Sequence, residues 1–195
     1  MIRSIRLFAV FAILQSLAAC AATPVETAPK EYLDEKTAAT VTVVRQPIVF
    51  ARERRDRAAN TRDYVTLAAA AVNRSGKISE VLIVYYWSTV DLRGAPRAAT
   101  FDTLVLAADD RRIPFTLAST RSADLGIGFP VHAPPDQNAV PNIYATDLAT
   151  LRSIAVARHI AVQAGADDTA PVYELWDDQR PALDGFVKFM NGEIR

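Results

Sequence analysis

Tyr64-Val65-Thr66-Leu67-Ala68-Ala69-Ala70-Ala71-Val72, then Asn73-Arg74-Ser75-Gly76, then Lys77 through Val81-Leu82-Ile83-Val84-Tyr85-Tyr86-Trp87 is the stretch whose reading decides the fold. Four alanines alone would tolerate a helix. The aromatic and β-branched entry Tyr64-Val65-Thr66 and the turn-forming Asn-Arg-Ser-Gly instead favour a strand entering a hairpin. From Val81 to Trp87 both alternating faces are apolar, so this strand must be covered on both sides, as in a sandwich or under a helix. Its small alanine partner leaves room for something bulky. Tyr85, Tyr86 and Trp87 read as core packing rather than as an aromatic binding platform, because a continuous apolar run is what burial requires.

Toward the C-terminus, Asp91 to Pro96 is a loop with Gly94, and a second hairpin follows: Thr100 to Ala107, a turn at Ala108-Asp109-Asp110-Arg111, and Arg112 to Leu117. Pro114 lacks an amide hydrogen and places that strand at a sheet edge. The paired aspartates have no calcium-loop spacing around them and read as a plain turn. Thr120 to Val140 is irregular, broken by Gly126, Gly128, Pro130, Pro134, Pro135 and Asn138; it carries Asp124, His132 and Asp136, and reads as a surface loop. Asn142 to Ala145 is a short strand. Thr146 or Asp147 caps a helix with Leu148, Leu151, Ile154 and Ala155 on one face. Arg158 to Ala164 and Pro171 to Trp176 form a hairpin around Gly165 to Thr169, which puts His159 on a strand as a partly exposed, non-catalytic imidazole. Leu183, Phe186, Val187 and Met190 then fall at i, i+3, i+4 and i+7 in a helix from about Gln179 to Asn191, with Gly192 at its end.

Toward the N-terminus, Arg52 to Asp63 packs Arg52, Arg54, Arg55, Arg57 and Arg62 among Glu53, Asp56 and Asp63. It reads as a solvated loop or short exposed helix that pairs with itself; a phosphate-binding arginine patch is the competing reading. Thr37 to Val44 and Ile48 to Phe50 read as two edge-type strands, or one strand broken at Pro47. Ala21 to Glu31 is small, polar and interrupted by proline, which suits a tether.

The first twenty residues have the layout of an export signal: Arg3 and Arg6, an uncharged apolar run from Leu7 to Leu14, then Leu17-Ala18-Ala19-Cys20. Those last four residues resemble the lipobox of bacterial lipoproteins. The resemblance implies cleavage after Ala19, a diacylglyceryl group on the Cys20 thiol and N-acylation with palmitate-like chains. Ala21 rather than Asp after the cysteine resembles the pattern sorted to the outer membrane. The mature part is similar in general organisation to small envelope lipoproteins of proteobacteria. Leu7 to Ala22 contains Gln15 and Ser16 and is short of the roughly 20 apolar residues of a membrane span. Cys20 is the only cysteine, so no intramolecular disulfide is possible.

The expected organisation is therefore a signal peptide at 1–19, a lipidated tether at 20–31 and a single β-rich domain at 32–195. The expected fold class is α+β, predominantly antiparallel β in a sandwich-like sheet of about seven or eight strands, with a C-terminal amphipathic helix. Charge is balanced, 22 basic against 22 acidic residues, which leaves no footprint for nucleic acid. No nucleophile elbow, phosphate loop, paired-histidine metal motif or cysteine cluster occurs, so no catalytic or metal residue and no cofactor is assigned. The expected function is a non-enzymatic, membrane-anchored envelope lipoprotein that faces the periplasm and binds an envelope protein or component through sheet edges or the 120–140 loop. The alternatives are an envelope hydrolase or carbohydrate-active enzyme whose site assembles only in the fold, and a small-ligand or lipid binder.

Overall fold

The computed structural model describes residues 27–56, 60–89, 101–135 and 139–194. Cys20 and the cleavage site, the loop around Gly94, and Asp136 lie outside the described residues. Among the described residues ten strands and two α-helices follow one another: β1 (Lys30–Asp34), β2 (Ala39–Val43), β3 (Ile48–Glu53), β4 (Arg62–Arg74), β5 (Lys77–Ser88), β6 (Thr103–Ala108), β7 (Arg111–Ser119), β8 (Pro141–Ala145), α1 (Leu148–Val156), β9 (Ile160–Ala164), β10 (Val172–Asp177) and α2 (Arg180–Met190). Every strand pairing is antiparallel, in the order β1-β2-β4-β3-β10-β9-β6-β7-β8-β5.

The sheet is not a sandwich. β5 pairs back onto β4, so eight strands from β4 round to β5 close into a barrel, and β2 and β1 extend it outside the ring. The opening hairpin makes this possible. Asp63 lies opposite Ser88 and Arg74 opposite Lys77, a twelve-pair ladder around a tight turn in which Ser75 and Gly76 both take positive φ, 53° and 86°. Such a turn matches the right-handed twist of long strands. β4 is long enough to take β3 along Arg62–Leu67 and β2 along Ala70–Asn73 on the same edge. β2 and β3 are thus one strand broken at Pro47, and both lie inside the sheet rather than at its edge. The first strand begins at Lys30, so Lys30 and Glu31 of the stretch read as tether belong to the sheet.

Inward from the strands point Phe50, Val65, Leu67, Leu82, Val84, Leu104, Leu106, Phe115, Tyr144, Val162 and Tyr173, all buried in one cluster. An eight-stranded barrel has an interior that side chains of this size fill. That same cluster includes Leu151 and Ile154 of α1 and Ala182, Leu183, Phe186 and Val187 of α2. Each helix starts just beyond the end of a strand, α1 after β8 and α2 after β10, and the pair closes that end of the barrel. The apolar face of α2 lies over a barrel end, where Ala69 and Ala71 leave room beneath it. Asp147 caps α1 by accepting from the Thr150 backbone N–H at 2.7 Å.

The outer face of β5 is apolar too, and the 120–140 segment covers it. Ile127 and Val131 are buried against Val72, Val81, Ile83, Tyr85 and Ile143, beside Val41 and Val43 of β2. This stretch is a strap and not a free surface loop. It is fastened at two points: the Tyr85 hydroxyl donates to the His132 carbonyl at 2.8 Å, and the buried Asp34 carboxylate accepts from the Gly128 backbone N–H. The two-sided burial expected of Val81–Trp87 is present, with the strap in place of a second sheet.

Candidate functional site

The end of the barrel opposite the helices is where β3 finishes, β4 begins, β5 finishes and β10 begins. Arg52 and Asp63 face each other there across β3 and β4, and Ser88 lies opposite Asp63 on β5. The Arg52–Asp63 stretch is therefore no helix among its described residues: Arg52, Glu53, Arg62 and Asp63 belong to strands, while Arg54, Arg55 and Asp56 lie past the end of β3, and Arg57 lies outside the described residues. It does pair with itself, as the bland reading of the sequence held. Arg54 forms a two-pronged contact with Asp56 at 2.9 Å, and Arg62 reaches Glu53 at 3.4 Å.

Asp63 departs from that surface pattern. Its side chain is 0% exposed and accepts from Arg52 at 3.0 Å and Arg54 at 3.1 Å, while the two guanidiniums are 35% and 20% exposed. The Ser88 hydroxyl, which donates to the Arg62 carbonyl at 3.3 Å, and Tyr86 lie beside it, and the Tyr86 ring meets Tyr173 in a T-shaped contact of 6.2 Å. Burial pushes the Asp63 carboxyl up, but the hydrogen bonds from Arg52, Ser88, Arg54 and Tyr86 outweigh it and hold the group below the usual carboxylate range. Burial drives the Tyr173 and Tyr86 phenols upward, Tyr173 far out of the physiological range. The Arg52 guanidinium also lies 5.5 Å from the Tyr173 ring centroid. A carboxylate kept ionised with its lone pairs occupied, beside phenols that stay protonated, has no proton to exchange near neutral pH. The arrangement locks the mouth.

Outside the same rim, the register sets a second group. Tyr64 stacks on Trp87 at 4.2 Å, Trp176 meets Tyr64 edge-on at 6.2 Å, and Arg62 sits 4.7 Å from the Trp176 ring centroid. Trp87 donates to the Thr66 hydroxyl at 3.0 Å, while Trp176 is 55% exposed. The aromatic trio Tyr85, Tyr86 and Trp87 is thus divided three ways: Tyr85 under the strap, Tyr86 into the barrel and Trp87 onto the outer wall. The hairpin turn in the sequence contained this information, since a two-residue turn at Ser75-Gly76 sets Tyr64 opposite Trp87 and Asp63 opposite Ser88.

The remaining sequence candidates do not converge. His132 is partly buried on the strap, and burial lowers its pKa. Asp124 is exposed and accepts from Ser119 at 2.5 Å. Asp109 is a turn residue whose carboxylate accepts from the Arg158 and His159 backbone N–H groups, leaving the His159 ring outside. Among the described residues no three His, Cys, Asp or Glu side chains gather as a metal would need. Comparison with known proteins finds no matching family model, no matching curated protein and no matching solved structure.

Proposed function

We propose that this chain is a lipid-anchored envelope protein whose barrel is a binding module without catalytic activity, held at the membrane through Cys20 and docking an extended segment of a partner protein along β1. One observation carries the reading: among the described strands, β1 alone pairs on one side only, with β2, so its other edge presents unpaired backbone groups. Leu33 in the middle of that strand is 61% exposed. Strand addition to such an edge needs no catalytic group; backbone hydrogen bonds supply affinity and side chains on alternate positions supply choice. The filled interior and the saturated Asp63 favour a surface role over chemistry inside the barrel. The strap, offered by the sequence as a rival docking element, spends Ile127 and Val131 on β5 and β8, while Phe129 stays 53% exposed with Lys36 over its ring. No helix of the described residues is long and apolar enough to cross a membrane.

The test is a photo-crosslinking amino acid at Leu33 and, as control, at exposed Asp110, in cells carrying the native chain or Cys20→Ala. Mass spectrometry of the N-terminal peptide accompanies it. The expected result is an acylated Cys20 in the membrane fraction and one discrete adduct from position 33, absent from position 110 and reduced in the Cys20→Ala strain. An unmodified Cys20 on a soluble product sinks the anchor. Identical adducts from both positions sink the β1 edge.

A further inference from the structure

The tip of the β4–β5 hairpin holds positive charge that the fold does not answer. Arg74 and Lys77 lie directly opposite each other on the last rung of the ladder, and strand alternation puts them on one face with Val72 and Ser79. Like charges set opposite each other repel. Among the described residues no carboxylate pairs with either of them. Elsewhere Arg62 takes Glu53, Arg152 takes Glu193 and Lys188 takes Asp184. Between the hairpin tip and the start of the strap lies a cleft of about 460 Å3, with Arg74, Ser75, Lys77 and Ser79 on one wall and Asp124 and Leu125 on the other, over buried Val72.

The strap places the Arg74 guanidinium. It lies across Gly126, where a Cβ would stand 2.5 Å from Nη1 and 2.8 Å from Cζ, so any other residue there would push it away. Gly126 takes a positive φ of 72° and ends the short 3-10 turn Ser122–Leu125, its N–H donating to the Ala123 carbonyl at 2.9 Å. The acid on the facing wall is already engaged: the Asp124 carboxylate accepts from the Ser119 hydroxyl at 2.5 Å and lies 3.9 Å from Arg121. We infer that this cleft binds a phosphate monoester, its oxyanion held by Arg74 and Lys77 with hydroxyls from Ser75 and Ser79, and its organic part against Leu125. A guanidinium fork matches phosphate geometry and a lysine adds a point charge. A carboxylate would be satisfied by the fork alone, whereas two cations and two hydroxyls suit the three terminal oxygens and the higher charge of a monoester. The cleft has the size of a small-ligand site, which leaves room beyond the oxyanion. It uses neither the β1 edge nor Cys20, so it stands or falls apart from them.

Isothermal titration calorimetry of the full-length protein in dodecyl maltoside micelles tests this with glycerol 3-phosphate. Saturable single-site binding is expected, about tenfold weaker in Arg74→Gln, partly restored in Arg74→Lys and about threefold weaker in Lys77→Gln. Gly126→Ala keeps every charge and displaces the guanidinium, so it should weaken binding as Arg74→Gln does. Asp124→Asn removes the negative charge on the facing wall and should tighten binding, a gain that damage to the fold would not give. Urea midpoints of the variants separate lost binding from lost structure. Micelles doped with phosphatidic acid, against phosphatidylglycerol as a diester control, assign the source. Competition by phosphatidic acid alone means a lipid headgroup, and no competition by either means a soluble ester; both support the site. Native affinity in Arg74→Gln overturns it, as does the absence of saturable binding by both glycerol 3-phosphate and phosphatidic acid. Sulfate bound as tightly as glycerol 3-phosphate overturns the ester and leaves only a surface that attracts anions.

Discussion

The two ends of the barrel are closed by opposite chemistry. At one end Leu151, Ile154, Leu183, Phe186 and Val187 fill the opening over a floor of small alanines. At the other, a buried carboxylate holds two guanidiniums beside the Tyr86–Tyr173 ring pair. Apolar closure gains in proportion to the area it removes from water, roughly 25 cal/mol per Å2, and is indifferent to direction. Ionic closure gains little net stability over an apolar substitute but fixes geometry, because a lone partner left behind is costly. The plug therefore answers to volume and the mouth to pairing, and substitutions at each should behave differently.

The largest effect is expected at the plug. Phe186→Ala removes a fully buried ring from between the helices and the barrel floor, and should cost about 4 kcal/mol by the usual range for such truncations. Urea unfolding checks it through the midpoint, and a loss below about 1 kcal/mol would mean that the helices do not close the barrel. Next comes the mouth, where Asp63→Ala takes its carboxylate partner from Arg52 and leaves Arg54 with Asp56 alone, and should cost about 3 kcal/mol. Replacing all three together, Asp63→Leu with Arg52→Met and Arg54→Met, should recover most of that loss. If the triple variant is as unstable as the single one, the cost lay in lost volume and the contrast between the ends collapses.

Acid separates the ends again. The Asp63 carboxyl is held below its unfolded value in the folded protein, so its contribution is fully present above the unfolded pKa of about 4 and is lost as pH falls through the lower folded value. Asp34, lowered chiefly by the Gly128 backbone N–H, behaves likewise at the strap. Unfolding midpoints at pH 7 and pH 3 should therefore fall by the same amount in the native protein and in Phe186→Ala, and by a smaller amount in Asp63→Ala. The residual fall in Asp63→Ala belongs to carboxylates such as Asp34. Equal falls in all three proteins would remove Asp63 from the acid response.

How far each end was legible in the sequence follows from the same difference. The α2 face at Leu183, Phe186, Val187 and Met190 is a periodic pattern, and the helix runs from Arg180 to Met190 much as its spacing predicts. The hairpin of β4 and β5, the second hairpin at Asp109–Asp110 and the strand–turn–strand of β9 and β10 are equally local and agree with their reading, except that Pro114 does not put its strand at a sheet edge: β7 lies between β6 and β8, and its pairing with β8 starts at Leu117, past the proline. Closure was not local. Nothing in Val81–Trp87 says that β5 must take β8 on its other edge, so that six strands from β8 to β3 lead round the ring back to β4, and a two-sided apolar strand fits a sandwich as well as a strapped barrel. Asp63 was hidden for the same reason, because its surroundings come from β3, β5 and β10 while its sequence neighbours Thr61 and Arg62 suggest a wet surface. Lys30–Asp34 escaped notice because Lys, Glu and Asp in five residues hide an edge strand whose inward support is all supplied by β2.

The smallest effect is expected on the outer rim, and it is the one that tells whether the mouth is more than a lock. Trp176 and Trp87 are the two tryptophans of the chain, so their fluorescence can be assigned by removing one. Trp87 is shielded between the Tyr64 ring and its Thr66 hydrogen bond, whereas Trp176 is half exposed under Arg62. Trp176→Phe should cost less than about 1 kcal/mol, in line with surface positions away from the core, while abolishing most of the iodide-quenchable emission. An exposed tryptophan that contributes so little to folding, set beside an arginine on a rim held rigid by Asp63, has the residue types that dominate binding at protein interfaces. Should Trp176→Phe instead destabilise the barrel as much as Asp63→Ala, the ring belongs to the lock, and the outer rim has no side chain to spare for a partner.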